Sequence, residues 1–283
     1  MIANARMYSV SPEAAGLWRR LLTAVIEHAG VDVVLLEHTE PKPIDELWRR
    51  PDMAAVFMCG LPFSRSSPQP QIVAAPVPSP PDFHGRPRYR SEMVVRKDSG
   101  FQTIEDTFGR RIALTVPDSQ SGCLAALHYL MMTPGKFPRY GEVIAPQVTP
   151  LGAASSVVER AADVAPVDSY AYGLLQKYRR DLTSQLRVIG RTARTPIPPL
   201  VASPGLGSAD LEALQAAFLD AHGIASMAPL MQGLLLERFV RPDTEGYDAL
   251  RLNYETTIQY WRDHALAATS HPAFAATPLS FAG

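Results

Sequence analysis

The chain has 283 residues, 46% of them hydrophobic and 19% charged, with a formal net charge of -1. That balance is globular and holds enough apolar material for a sizeable core; at roughly 100–200 residues per domain it favours two domains over one. A near-zero charge offers no electrostatic case for nucleic acid or acidic membranes, and no run of about 18 apolar residues exists to span a bilayer.

The opening "MIANARMYSVSPEAAGLWRR" contains no apolar stretch of signal-peptide length. The protein is therefore expected to be cytoplasmic if this is the native start, and periplasmic or extracytoplasmic if a leader has been removed. The two cysteines, Cys59 and Cys123, make no disulfide framework, and the seven histidines form no pair at metal-ligand spacing. No metal and no cofactor are expected.

"IANARMY" reads as a first strand, and "SPEAAGLWRRLLTAVIEHAG" as a helix with Ser11 as N-cap, Pro12 at the first helical position and Gly30 at the exit. "DVVLLEH" is an apolar run of strand length, "PIDELWRR" a short helix, and "AAVFMCG" another strand. Residues 62–87 are dense in proline and are expected to be extended or turning. "YRSEMVVRK" follows as a strand. Alternation then resumes: "TIEDTFG" helix, "RIALTV" strand, "SGCLAALHYLMM" helix, "EVIAPQV" strand, "AASSVVERA" helix, "ADVAPV" strand, "SYAYGLLQKY" helix and "QLRVIG" as the last strand. A second proline-rich stretch, "TPIPPLVASPG", leads into three helices, the last with Leu250, Tyr254, Ile258 and Trp261 on one face.

Such alternation points to α/β architecture with mostly parallel sheets covered by helices. The two proline-rich stretches suggest that the chain crosses into a second lobe and returns. The expected division is residues 1–94 plus 193–283 as a discontinuous first lobe, with 95–192 inserted as the second.

In open α/β sheets ligands bind beyond the carboxyl ends of the strands. That rule selects the loops at Tyr8, at Cys59 and Gly60, at Ser119 to Gly122, at Gly152 and at Asp168 with Ser169. "DSQSG" follows a strand and opens a helix, where unpaired N–H groups carry positive partial charge. Ser119, Ser121 and Gly122 can cradle an anion there, with Gly122 allowing close approach, or they can simply start the helix. Asp168 and Ser169 occupy a similar junction, as a cap or as acceptors for a ligand's amine or hydroxyl. Tyr8, Tyr89 and Ser91 have hydroxyls near strand ends or on the first crossing, and core packing is the alternative for the aromatics. Neither a G-x-S-x-G elbow nor a Walker motif is present.

Together these segments resemble the phosphate/phosphonate-type substrate-binding proteins of ABC transporters. "DSGFQTIEDTFGRRIALTVPDSQSGCLAAL" resembles the family's approach to an S-x-S-G helix start. "TPLGAASSVVERAADVAPVDSYAYGLL" resembles its next segment, and "TPIPPLVASPGLGSADLEALQAAFLD" its return crossing. The resemblance implies a two-lobed type II periplasmic-binding-protein fold with two hinge crossings, closing over a small anionic or zwitterionic ligand and delivering it to membrane subunits. It also implies that Ser119, Ser121 and Gly122 bind the oxyanion and that Asp168 is the acidic residue of the second junction. The chain departs from the family at Gly152–Ala153–Ala154, where Gly-Ser-His is common. A second reading is an enzyme on the same fold using Cys59, His128 and Asp168. A third is a cytoplasmic sensor with its partner surface on the C-terminal helices.

Overall fold

The computed structural model describes residues 1–267. Among the described residues thirteen strands run in chain order: β1 (Ile2–Asn4), β2 (Val34–Leu35), β3 (Met53–Phe57), β4 (Gln71–Pro78), β5 (Arg88–Tyr89), β6 (Ser91–Arg96), β7 (Arg111–Thr115), β8 (Glu142–Gln147), β9 (Val164–Asp168), β10 (Leu186–Arg191), β11 (Thr195–Pro196), β12 (Leu200–Ala202) and β13 (Leu236–Val240). They divide between two compact units. The first contains Met1–Arg88 and Pro196–Tyr247, the second Tyr89–Thr195 and the chain from Asp248.

The first unit is built on a six-stranded sheet in the order β13-β4-β12-β3-β1-β2. β1 runs parallel to β2 and β3, while β12 and β13 run antiparallel to their neighbours. The helix Pro12–Ala29 forms as its sequence predicts. Ser11 Oγ accepts from the Ala14 N–H at 3.1 Å, and Gly30 closes the helix with φ +66°. Its buried face, including Trp18, Leu21, Leu22 and Val25, provides core, with Trp18 edge-on to Phe57 of β3.

Two segments join this sheet, one extended as expected and one against expectation. The proline-rich stretch contains β4, eight residues long with most of its side chains buried. Its first half pairs with β12 and its second half with β13. Pro76 and Pro78 are two apart, so both ring nitrogens lie on one flank of the strand, and a ladder on the other flank survives. Likewise "LLLERF", expected to be helical, forms β13. Leu235 takes φ +55° and stops the preceding helical turn. Leu236 and Phe239 then face the core.

The second unit is built on a five-stranded sheet in the order β10-β6-β9-β7-β8. β7, β8 and β9 are parallel, and β6 runs antiparallel to β9 and β10. Met93, Ile112, Leu114, Cys123, Leu127, Leu130, Tyr140 and Val164 make up much of its core. The chain passes from one unit to the other at Arg88–Tyr89 and returns at Thr195–Pro196, and β5 and β11 pair as a two-stranded ribbon at these passages.

The helix Glu245–Asp263, expected with the first lobe, groups with the second unit from Asp248 onward. The physical reason lies in its contacts. Trp261 packs on the second unit's core and donates from Nε1 to the Leu127 carbonyl at 3.1 Å, and the Thr257 hydroxyl bonds His128 Nδ1 at 3.1 Å. Residues 268–283, also expected in the first lobe, lie outside the described residues.

Candidate ligand-binding site

Because β7, β8 and β9 are parallel neighbours, their carboxyl ends share one edge of the second unit's sheet. Each leads into a helix start with its own side-chain cap. After β7, Ser119 Oγ accepts from the Gly122 N–H at 3.0 Å. After β8, Thr149 Oγ1 accepts from the Gly152 N–H at 3.1 Å, opening the helix Pro150–Val158. After β9, Asp168 Oδ1 accepts from the N–H groups of Tyr170 and Ala171 at 2.8 and 2.9 Å, opening the helix Ser169–Tyr178. β6 is antiparallel, so its first residue, Ser91, lies opposite Asp168 at the same edge.

The start after β7 is the most unusual. Gln120–Leu124 forms a π turn before the α-helix Ala125–Met132, with the Leu124 N–H reaching the Ser119 carbonyl at 3.0 Å. Such turns cost hydrogen-bond geometry and concentrate at functional sites. Two neighbours hold it. The Ser91 hydroxyl donates to the Ser121 carbonyl at 2.6 Å. Thr115, the last residue of β7, fills the space beside Gly122, where a Cβ would lie 2.0 Å from Thr115 Oγ1.

The sheet edge therefore gathers Tyr89, Ser91, Ser119, Ser121, Gly122, Gly152, Asp168 and Ser169 in one unit. Several have partners within the protein. Thr115 occupies the space that a side chain at Gly122 would need. The Ser91 hydroxyl donates into the protein. Ser169 Oγ accepts from the Arg90 N–H at 3.2 Å, and Arg90 in turn donates to buried Glu92, which also accepts from Arg191. Ala153 and Ala154, in place of the family's polar pair, are fully buried.

Tyr8 and Gly60 belong to the first unit. β1 ends at Asn4, so Tyr8 sits in a 3₁₀ turn beyond it, fully buried and edge-on to Phe57 at 5.0 Å. Gly60 opens the six-residue helix after β3.

Sequence reasoning missed Thr115, Thr149 and Thr192. Thr149 had a readable signal, a threonine immediately before Pro150 at the first helical position. Thr192 accepts from the Ser91 N–H at 2.9 Å and has none.

The groups of the enzyme reading divide between the two units. Cys59 is buried in the first unit. His128 is pushed below the usual histidine range by burial and bonds Thr257. Asp168 caps its helix. The other cysteine, Cys123, is pushed up to about 12 by burial, with Asp118 adding to the shift, and stays a thiol. Among the described residues no helix is long and apolar enough to cross a membrane.

The fold is that of the type II periplasmic binding proteins. Residues 9–247 match the family model described as ABC transporter, phosphonate, periplasmic substrate-binding protein, and the chain belongs to that family. The binding-protein component of an ABC phosphonate transporter from Pseudomonas aeruginosa is 19% identical with a TM-score of 0.73, over 97% of this chain and 92% of that one. PhnD1 from Prochlorococcus marinus, solved with methylphosphonate, is 16% identical with a TM-score of 0.74, over 90% and 96%. A Xanthomonas citri protein solved with ATP is 16% identical with a TM-score of 0.62, over 93% and 98%. No curated protein matches the sequence. Membership implies a small ligand and transporter membrane subunits as partners, in a family typically found outside the cytoplasm.

Proposed function

We propose that this protein takes a small phosphonate- or phosphate-like oxyanion at the carboxyl edge of β7, β8 and β9, for uptake through an ABC transporter outside the cytoplasm. The observation that carries this reading is the gathering of three capped helix starts at one sheet edge. The first turn of a helix has N–H groups with no acceptor inside the helix, and the macrodipole adds positive potential there. Caps at Ser119, Thr149 and Asp168 settle one or two of these donors each, and an anion is the natural acceptor for others.

Two carboxylates temper the site. Asp118 precedes the first cap and Asp168 is the third. They disfavour a bare polyanion and favour a ligand that pairs its oxyanion with an amine or hydroxyl donor. Ser119 and Ser121 are its anion-binding residues, at turns whose Gly122 and Gly152 N–H groups hold the caps, and Asp168 and Ser169 its polar partners.

Calorimetry with methylphosphonate, an aminoalkylphosphonate, inorganic phosphate, ATP and a small dicarboxylate tests the assignment. Saturable binding of a phosphonate or phosphate, weakened by Ser119→Ala, is the expected result. Binding of the dicarboxylate alone, or of nothing in the panel, overturns it.

A further inference from the structure

Ser91 is tied to three separate segments at the sheet edge. Fully buried, it stands two residues after the first chain passage, at Arg88–Tyr89. Its main chain is joined on one side to Thr192, three residues before the return at Thr195–Pro196. The Ser91 N–H donates to Thr192 Oγ1 at 2.9 Å, and the Thr192 N–H donates to the Ser91 carbonyl at 3.1 Å. On the other side Ser91 pairs in register with Asp168, the cap of the third helix start. Its hydroxyl spends its one proton on the Ser121 carbonyl of the π turn, at 2.6 Å. One residue thus bonds the segment entering the unit, the segment leaving it, and the turn proposed to receive the anion.

The Ser121 bond has a geometric consequence. A peptide carbonyl and the following N–H belong to one rigid plane. Holding the Ser121 carbonyl therefore fixes the direction of the Gly122 N–H, which Ser119 caps. It also limits how the neighbouring first-turn donors can turn. Any shift of either passage segment pulls on the same plane through Ser91.

We propose that Ser91 is a positioning residue that couples both chain passages to the π turn, acting through the Ser121 carbonyl and Thr192 and not by contact with ligand. The proposal rests on the oxyanion reading for its ligand arm. Its other arm, exchange in the ligand-free protein, does not.

The test measures amide hydrogen exchange and methylphosphonate affinity in wild type, Ser91→Ala, Ser91→Cys and Thr192→Val. In ligand-free protein, Ser91→Ala should speed exchange at Gly122 to Leu124 and at Thr192 together. Thr192→Val, which keeps side-chain volume, should also speed exchange at both places. Methylphosphonate should protect residues 189–195 of wild type at a distance, and Ser91→Ala should lose that protection and bind about tenfold more weakly. Ser91→Cys, a weaker donor, should fall between. If Ser91→Ala alters the π turn without altering Thr192, or binds as tightly as wild type, the coupling is refuted. Should Ser91→Ala fail to fold, Thr192→Val decides alone, and exchange changed only at residue 192 overturns the proposal. Wild type that binds no methylphosphonate, aminoalkylphosphonate or inorganic phosphate, with exchange coupled in the ligand-free variants, refutes the oxyanion reading and leaves the coupling standing.

Discussion

Thr115 occupies the space that any side chain at position 122 would need. A Cβ on Gly122 would lie 2.0 Å from the Thr115 hydroxyl oxygen, 2.5 Å from its methyl carbon and 2.8 Å from its Cβ. Gly152, at the next helix start, has only ordinary contacts at 3.5 Å in the same direction.

Gly122→Ala should therefore lower stability by about 1–3 kcal/mol, the usual range for overpacking a close-packed site, and weaken ligand binding as the π turn shifts. Adding Thr115→Ala opens the space and should recover part of the loss. Gly152→Ala should have little steric effect. Urea denaturation of the three variants checks this, and a neutral Gly122→Ala would contradict it.

Thr149 caps its helix through a single hydroxyl. Thr149→Ala should cost about 1 kcal/mol, within the range for losing a helix cap, and Thr149→Ser should recover most of it. Thermal unfolding separates the two. If the proposed site is correct, Thr149→Ala also weakens phosphonate binding.

Asp168 receives two main-chain N–H groups on one oxygen and is buried. Asp168→Ala leaves both donors without their acceptor and should destabilise by about 2 kcal/mol or more. Asp168→Asn keeps an amide oxygen for the same role and should cost less. A denaturation series that ranks asparagine below alanine would argue against the cap as the main role.

Acid should weaken the second unit through Asp163. Burial raises its carboxyl, but the Arg111 guanidinium and the Arg111 main-chain N–H bond it and together hold it below the usual carboxylate range. A folded-state value below the unfolded one, about 3.9, means the contribution is full above that value and is lost as pH falls through the folded one. Asp163→Asn should reduce stability near neutral pH and make the acid decline shallower. Denaturation midpoints from pH 7 to pH 3 read the difference.

The sequence was informative where one local rule decided the outcome. Ser11, Pro12 and Gly30 delimited the first helix, and the alternation from "RIALTV" to "SYAYGLL" located the three parallel strands and their helix starts. The prolines of 62–87 predicted an extended or turning stretch, and partners on either flank make its Gln71–Pro78 part a strand of the first sheet. The sequence failed where tertiary pairing overrode local preference. Leucines suggested a helix at β13, but Leu235 turned the chain. At the sheet edge, residue types located the helix starts but not the contacts that hold them. Gly122 is confined by Thr115 and Ser91 bonds the Ser121 carbonyl, contacts that no spacing rule encodes.

The π turn at Gln120–Leu124 spends one residue more than an α turn, because Leu124 bonds back five residues to Ser119. One residue is about 100° of helix rotation. Upstream of the surplus, Ser119, Ser121 and Gly122 are oriented by Ser91 and Thr115. Downstream, Ala126, Leu127 and Leu130 are oriented by the core. The extra residue works as a phase shifter between these two demands, letting the helix satisfy the core at one angle and present its first-turn amides at another. Deleting any one residue in the turn would force a single phase on both, and either the apolar face or the cradle would rotate out of place.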